Sequence, residues 1–261
     1  MRYLALFFIL LQGMLCSWSS PKPTLHLLIL YDGYTTKYMS NPHTTDSLYI
    51  KKTFHSITSA LSLPITVTES PMQEFSTKQF REWTQKVVPA QDIAIVYYSG
   101  PQKEDEKTLL PSVRLSQLSE LEVINASALS DSVFQRNPRF ALICFDCYEK
   151  IVPFTKSKVR VAKPLSKKDG MKYRKCFHEL FLNNHRSLLL SSPRQGETGY
   201  GIDFNIGTRQ GAFTRALLTA LNHPKRSWRQ MTQKMLHSLH RKPFPKQNFF
   251  LKSANAQQTH S

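Results

Sequence analysis

Asp92-Ile-Ala-Ile-Val-Tyr-Tyr-Ser-Gly100 and Phe140-Ala-Leu-Ile-Cys-Phe-Asp-Cys147 are the two stretches on which the fold turns. Each is a near-continuous apolar run that stops at small or polar residues, the pattern of a strand buried on both faces of a parallel sheet. In open α/β sheets ligands bind beyond the carboxyl ends of the strands, so Ser99-Gly100 and Asp146-Cys147 describe two walls of one crevice.

Outward from these runs the chain alternates as an α/β domain should. Leu25 to Leu30 reads as a first strand ending at Tyr31-Asp32-Gly33, and Asp46 as the N-cap of a helix to Leu61. Leu63-Pro64 breaks that helix, Ile65 to Thr68 forms a short strand, and Ser76 caps a helix carrying Phe80, Trp83 and Val87. Acidic residues 104 to 106 mark an exposed loop, and a helical segment is expected around Leu115 to Leu121. Beyond the Phe140 strand come a long basic connection and a strand over Ser187 to Ser192. A helix over Gly211 to Leu221, a last helix capped by Ser227 and an edge strand at Asn248 to Leu251 complete the chain. Right-handed crossovers would gather these into one sheet with helices on both faces.

In this order the motifs resemble those of the caspase-like peptidases, a family that includes the metacaspases and places Ser-Gly-His-Gly after one strand and Asp-x-Cys after the next. Leu188-Leu-Leu-Ser-Ser192, Glu197 and Gly211-Ala-Phe-Thr-Arg-Ala-Leu-Leu218 resemble the family's next strand, pocket loop and helix. The resemblance extends over residues 24 to 252. It implies a single three-layer α/β caspase-like domain, with a mostly parallel sheet of about six strands and helices on both faces. A doubly wound fold of another type lacks support, since the chain carries no Gly-x-Ser-x-Gly elbow, phosphate loop or dinucleotide fingerprint.

The resemblance also assigns roles. Cys147 is the candidate nucleophile, Pro101 occupies the position expected of the general-base histidine, and Gln102 offers a backbone N–H to an oxyanion. Asp146 directly precedes Cys147, whereas metacaspase-like members place the aspartate two residues before it. A one-residue shift in a strand turns a side chain to the other face. Asp32, Asp146, Glu197 and Asp203 are the candidate substrate pocket, acidic and so leaning toward basic substrates. A thiol without an imidazole is only a few per cent ionised at neutral pH, and losing acid–base help costs about 10²- to 10⁴-fold. The implied function is that of a caspase-like domain, related to cysteine-type endopeptidases, with weak or absent activity. Two alternatives stay open: an endopeptidase with a relocated base, for which His43, His178, His185 and His223 are available, and a basic module binding polyanions or proteins. His237 and His240, one helical turn apart, lack a third ligand, and no metal or cofactor is expected.

Composition sets the surroundings. Met1-Arg2, an apolar run from Tyr3 to Leu15 and Ser17-Trp18-Ser19 read as a secretory signal peptide over residues 1–19, which implies a secreted or otherwise extracytoplasmic protein. A domain over 20–255 and a disordered tail over 256–261 follow. No later segment is long and apolar enough to cross a bilayer. Cys144, Cys147 and Cys176 then remain, an odd number in a compartment that permits disulfides. Cys144 and Cys147 lie on opposite faces of an extended strand, which argues against a bond between them. The formal charge is +17: residues 150–176 form a basic connecting loop, and no acidic residue follows Asp203. The expected partners are a peptide or protein in the strand-end crevice and a polyanion on the basic surface.

Overall fold

The computed structural model describes residues 21–33, 42–101, 110–117, 120–148, 150–153, 161–193, 197–204, 209–240 and 247–255. The expected signal peptide, the 256–261 tail, the acidic loop at 104–106, Gln102 and part of the basic connection lie outside these residues.

Six strands build the central sheet: β1 (Leu25–Tyr31), β2 (Ile65–Pro71), β3 (Ile93–Ser99), β6 (Phe140–Asp146), β8 (Arg186–Ser192) and β11 (Phe250–Asn255). Their order is β11-β8-β6-β3-β1-β2, parallel throughout except for the antiparallel edge strand β11. Two short strands, β4 (Ser112–Gln117) and β5 (Glu120–Asn125), pair as a hairpin, and β7 (Lys150–Pro153), β9 (Tyr200–Asp203) and β10 (Arg209–Gly211) form a second small sheet. The helices are α1 (Pro42–Leu61), α2 (Thr77–Gln85), α3 (Ala126–Gln135), α4 (Lys167–Lys172), α5 (Arg174–Phe181), α6 (Ala212–Leu221) and α7 (Trp228–His240). None of the described helices is long and apolar enough to cross a membrane.

Strand alternation divides the core in two. Leu27, Ile95, Leu142 and Leu190 face a cluster completed by Phe54 of α1, Phe177 and Phe181 of α5, Phe213 of α6 and Met231 of α7. Leu28, Val96, Ile143 and Leu189 face the other, completed by Phe80 and Trp83 of α2 and Leu129 and Val133 of α3. The expected three-layer α/β architecture is thus observed, with helices on both faces. Cys144 falls in the first cluster and Cys147 in the second, as a three-residue step along extended chain requires.

Local chemistry explains where the elements begin. Ser76 and Gln79 form a reciprocal capping box at α2, and the Ser227 hydroxyl accepts the Gln230 N–H at the start of α7. Three expectations change. Residues 115–117 and 120–121 are not helical but belong to β4 and β5, because Val113, Leu115, Leu121 and Val123 alternate with period two in the sequence. The helix starts only after Asn125, whose side chain accepts the Ser127 N–H. Asp46 is not an N-cap: α1 begins at Pro42, and Asp46 lies inside it, in phase with Ile50, Phe54 and Ile57. The basic stretch 150–176 contains β7, α4 and the start of α5 rather than loop alone. It is fastened by the Ser166 cap and by Ser56 Oγ donating to the Leu165 carbonyl.

Candidate functional site

Parallel register brings the ends of four strands into one row, Tyr31, Ser99, Asp146 and Ser192. The backbone continues the row: Asp32 N–H donates to the Ser99 carbonyl, Gly100 N–H to Asp146 and Cys147 N–H to Ser192. Ser99-Gly100 and Asp146-Cys147 are therefore neighbours at the carboxyl edge of the sheet, where an α/β fold places its ligands.

Alternation then sorts their side chains. Tyr97, Ser99 and Asp146 point to the α1 and α6 side, whereas Tyr98 and Cys147 point to the α2 and α3 side. The Cys147 thiol is 0% exposed within that second cluster. Pro101, half-buried, presents its carbonyl to the Tyr98 hydroxyl at 2.8 Å. The position expected of a histidine thus carries a backbone acceptor already in use, and no titratable side chain.

On the α1 side lies a buried polar cluster. Asp146 Oδ2 accepts from the Thr214 N–H at 2.9 Å and from the Thr214 hydroxyl, which in turn accepts from Tyr97. Asp46 Oδ2 accepts the Gly211 N–H at 2.8 Å. The second oxygen of each carboxylate and the Tyr148 hydroxyl are buried without a hydrogen-bond partner. Gly211 is required here, because a Cβ at that position would run into the Asp146 carboxylate and the Tyr148 ring. Burial, and for Asp46 also the neighbouring Asp146, push both carboxyls above the usual carboxylate range, with the Thr214 donors opposing the rise at Asp146. Burial and the same two carboxylates raise the Tyr97 and Tyr148 phenols. The Cys144 thiol is raised by burial and by Asp146.

Of the four histidines considered as relocated bases, the fold carries one to this edge. His43, in the first turn of α1, stacks on the Tyr148 ring at 4.5 Å, and its Nδ1 meets Ser99 Oγ at 2.8 Å. Burial lowers its pKa to about 4 against the pull of Asp32, so the ring is neutral at physiological pH. His178, His185 and His223 are exposed elsewhere, and His223 meets the Tyr173 hydroxyl. His237 and His240 are exposed on α7, and among the described residues no cluster of three metal-ligating side chains occurs.

The four acidic pocket candidates each meet a different partner. Asp32 is buried and accepts from Gln73 at 2.6 Å; Asp146 is buried against Thr214. Asp203 pairs with Arg209 across β9 and β10, and Glu197 accepts from the backbone and side chain of Asn248. Asp46, Thr214, Tyr97 and Tyr148 were not foreseen as members of this edge. Asp46 had a readable signal, since it shares the helical phase of Ile50, Phe54 and Ile57.

No family model matches the chain, and no curated protein matches it. Among solved structures the chain is similar to the Drosophila initiator caspase Dronc at 8% identity, over 89% of this chain and 79% of that one, with a TM-score of 0.46. That likeness concerns the path of the chain, and no residue role follows from it.

Proposed function

We propose that the protein is an exported caspase-like domain that binds a peptide or protein at the strand-end edge and does not cleave it. Complete burial of Cys147 is the observation that carries this reading, because a nucleophile must come within about 3–3.5 Å of the carbonyl it attacks. The sequence adds Pro101 in the histidine's place, and the leader over residues 1–19 supports export. His43 favours a working peptidase with a relocated base in one respect only, its arrival at the end of β3. Its ring is stacked on Tyr148 and joined to Ser99, on the α1 side of the sheet, while Cys147 belongs to the cluster on the other side.

The test is labelling at neutral pH with peptide electrophiles carrying Arg, Lys or Asp at the specificity position. Among the described cysteines Cys176 is the partly exposed thiol, and it gives the background rate of the chain without its leader. Labelling at that background rate, unchanged by Cys147→Ala and removed by Cys176→Ala, is the expected result. Fast peptide-dependent labelling that Cys147→Ala or His43→Gln abolishes overturns the binding-only reading.

A further inference from the structure

The opposite end of β8 opens on a different kind of surface. Arg186 begins the strand whose last residue, Ser192, closes the candidate site, so about 20 Å of extended chain separates the two. There a cavity of about 1,090 Å³ lies between the turn after α5, the start of α7 and the edge strand β11, and Arg186, Arg226 and Arg229 line it with one opposing carboxylate, Glu179. That size is slightly above the usual range of small-ligand pockets.

Its electrostatics are unbalanced in one direction. Four ion pairs occur among the described residues, and none of them includes Arg186, Arg226 or Arg229. The first turn of α7 carries Arg229 and no acidic residue, and Lys225 and Arg226 precede it. Cations at the positive end of a helix dipole are unfavourable, and an anion there reverses the sign. The crowding extends to Lys234, whose pKa is lowered first by burial and then by Lys225.

We propose that this groove binds a compact polyphosphate, two or more linked phosphate groups held by Arg186, Arg226 and Arg229 at the start of α7. Guanidinium groups match phosphate oxygens in a bidentate geometry, and several converging on one concavity suit a multiply charged anion better than the spaced single charges of an acidic peptide. A nucleic-acid strand is disfavoured because stacking of successive bases needs several free rings, and the groove offers one, His185. Trp228, the other ring in its lining, is buried against Phe140 with ring centroids 5.4 Å apart and donates its Nε1–H to the Leu180 carbonyl. The groove shares no residue with the strand-end site, so this proposal stands or falls independently of the previous one.

Calorimetric titration of the full chain with tripolyphosphate at 150 mM salt tests it, beside Arg226→Ala/Arg229→Ala and a charge-matched control, Lys167→Ala/Lys168→Ala, in exposed residues of α4. The expected result is saturable binding of one ligand per chain, weakened at least tenfold by the arginine variant and by less than twofold in the control. Titration with ATP identifies the source: at least tenfold tighter binding than tripolyphosphate assigns a nucleotide, and equal affinity assigns an inorganic chain. Absent saturation, equal loss in both variants, or tighter binding of an acidic peptide or an oligonucleotide at matched charge overturns the proposal.

Discussion

Two buried aspartates stand at opposite ends of the same parallel sheet and are treated in opposite ways. Asp92, just before β3, uses both oxygens: Oδ1 accepts the Thr24 N–H, and Oδ2 accepts the Val88 N–H and the His26 Nε2–H, each at 2.9 Å. The Thr66 hydroxyl then completes His26 at Nδ1. Asp146, at the end of β6, receives both Thr214 donors on one oxygen and leaves the other orphaned beside the equally orphaned Asp46. A carboxylate that holds an edge together fills its acceptor sites, whereas two carboxylates buried side by side are costly unless a proton joins them. At Asp92 the amino edge is therefore built for stability, whereas at Asp46 and Asp146 the carboxyl edge keeps unsatisfied buried acceptors where an α/β fold places its function.

The largest expected effect tests the amino edge. Asp92→Ala leaves the Thr24 and Val88 N–H groups and the His26 ring without their acceptor, a loss of about 3–5 kcal/mol by analogy with breaking one side of a buried pair. Denaturant unfolding measures it. A loss below about 1 kcal/mol means the edge is not a closed network and removes half of the contrast.

How much of this contrast was legible follows from the same residues. Parallel strands buried on both faces announce themselves as continuous apolar runs, so β1, β3, β6 and β8 and the row Ser99, Asp146 and Ser192 were readable. The hairpin at β4 and β5 is not legible in the sequence, because apolar residues spaced over a short window satisfy helix and strand alike. The face assignment of Cys147 was readable as an alternative, since one residue of register decides it. The buried cluster was not readable. It depends on α1, α6 and the small β7-β9-β10 sheet meeting above Tyr148, contacts separated by more than a hundred residues, as between Asp46 and Gly211.

The next effect concerns the carboxyl edge and has the opposite sign. Asp146 has its folded-state pKa raised to about 7 from an ordinary value of about 3.9. Its contribution to stability is therefore fully present below about pH 4 and is lost as the pH rises through about 7, an amount of roughly 4 kcal/mol at about 1.4 kcal/mol per pKa unit. Asp146→Asn keeps an acceptor for Thr214 and removes the titration. Relative to the wild type it should gain roughly 4 kcal/mol between pH 4 and pH 8. His43 titrates the other way: its pKa is lowered from 6.5 to about 4, so its contribution is lost as the pH falls between those values. Between pH 4 and 6.5 the two slopes oppose each other in the wild type. His43→Gln should unmask the Asp146 slope, giving a protein that grows more stable than the wild type on acidification by about 2–3 kcal/mol. Parallel pH profiles for wild type and both variants would mean that neither group titrates in the folded chain as its burial requires.

The smallest effect isolates one orphaned atom. Removing the Tyr148 hydroxyl, which is buried near both carboxylates without a hydrogen-bond partner, relieves a desolvated polar group while the ring keeps its stack on His43 and its place against Gly201 and Gly211. Tyr148→Phe should therefore be neutral or stabilising by up to about 1 kcal/mol, where loss of a satisfied buried hydroxyl typically destabilises by about that amount. Tyr97→Phe supplies the contrast, since its hydroxyl donates to Thr214 and supports the Asp146 interaction. A loss of about 1 kcal/mol is expected there. If both phenylalanines destabilise equally, the Tyr148 hydroxyl has a donor role toward the carboxylates, and the carboxyl edge is as fully satisfied as the amino edge. Opposite signs would separate, within the carboxyl edge, an unsatisfied hydroxyl at Tyr148 from a satisfied one at Tyr97.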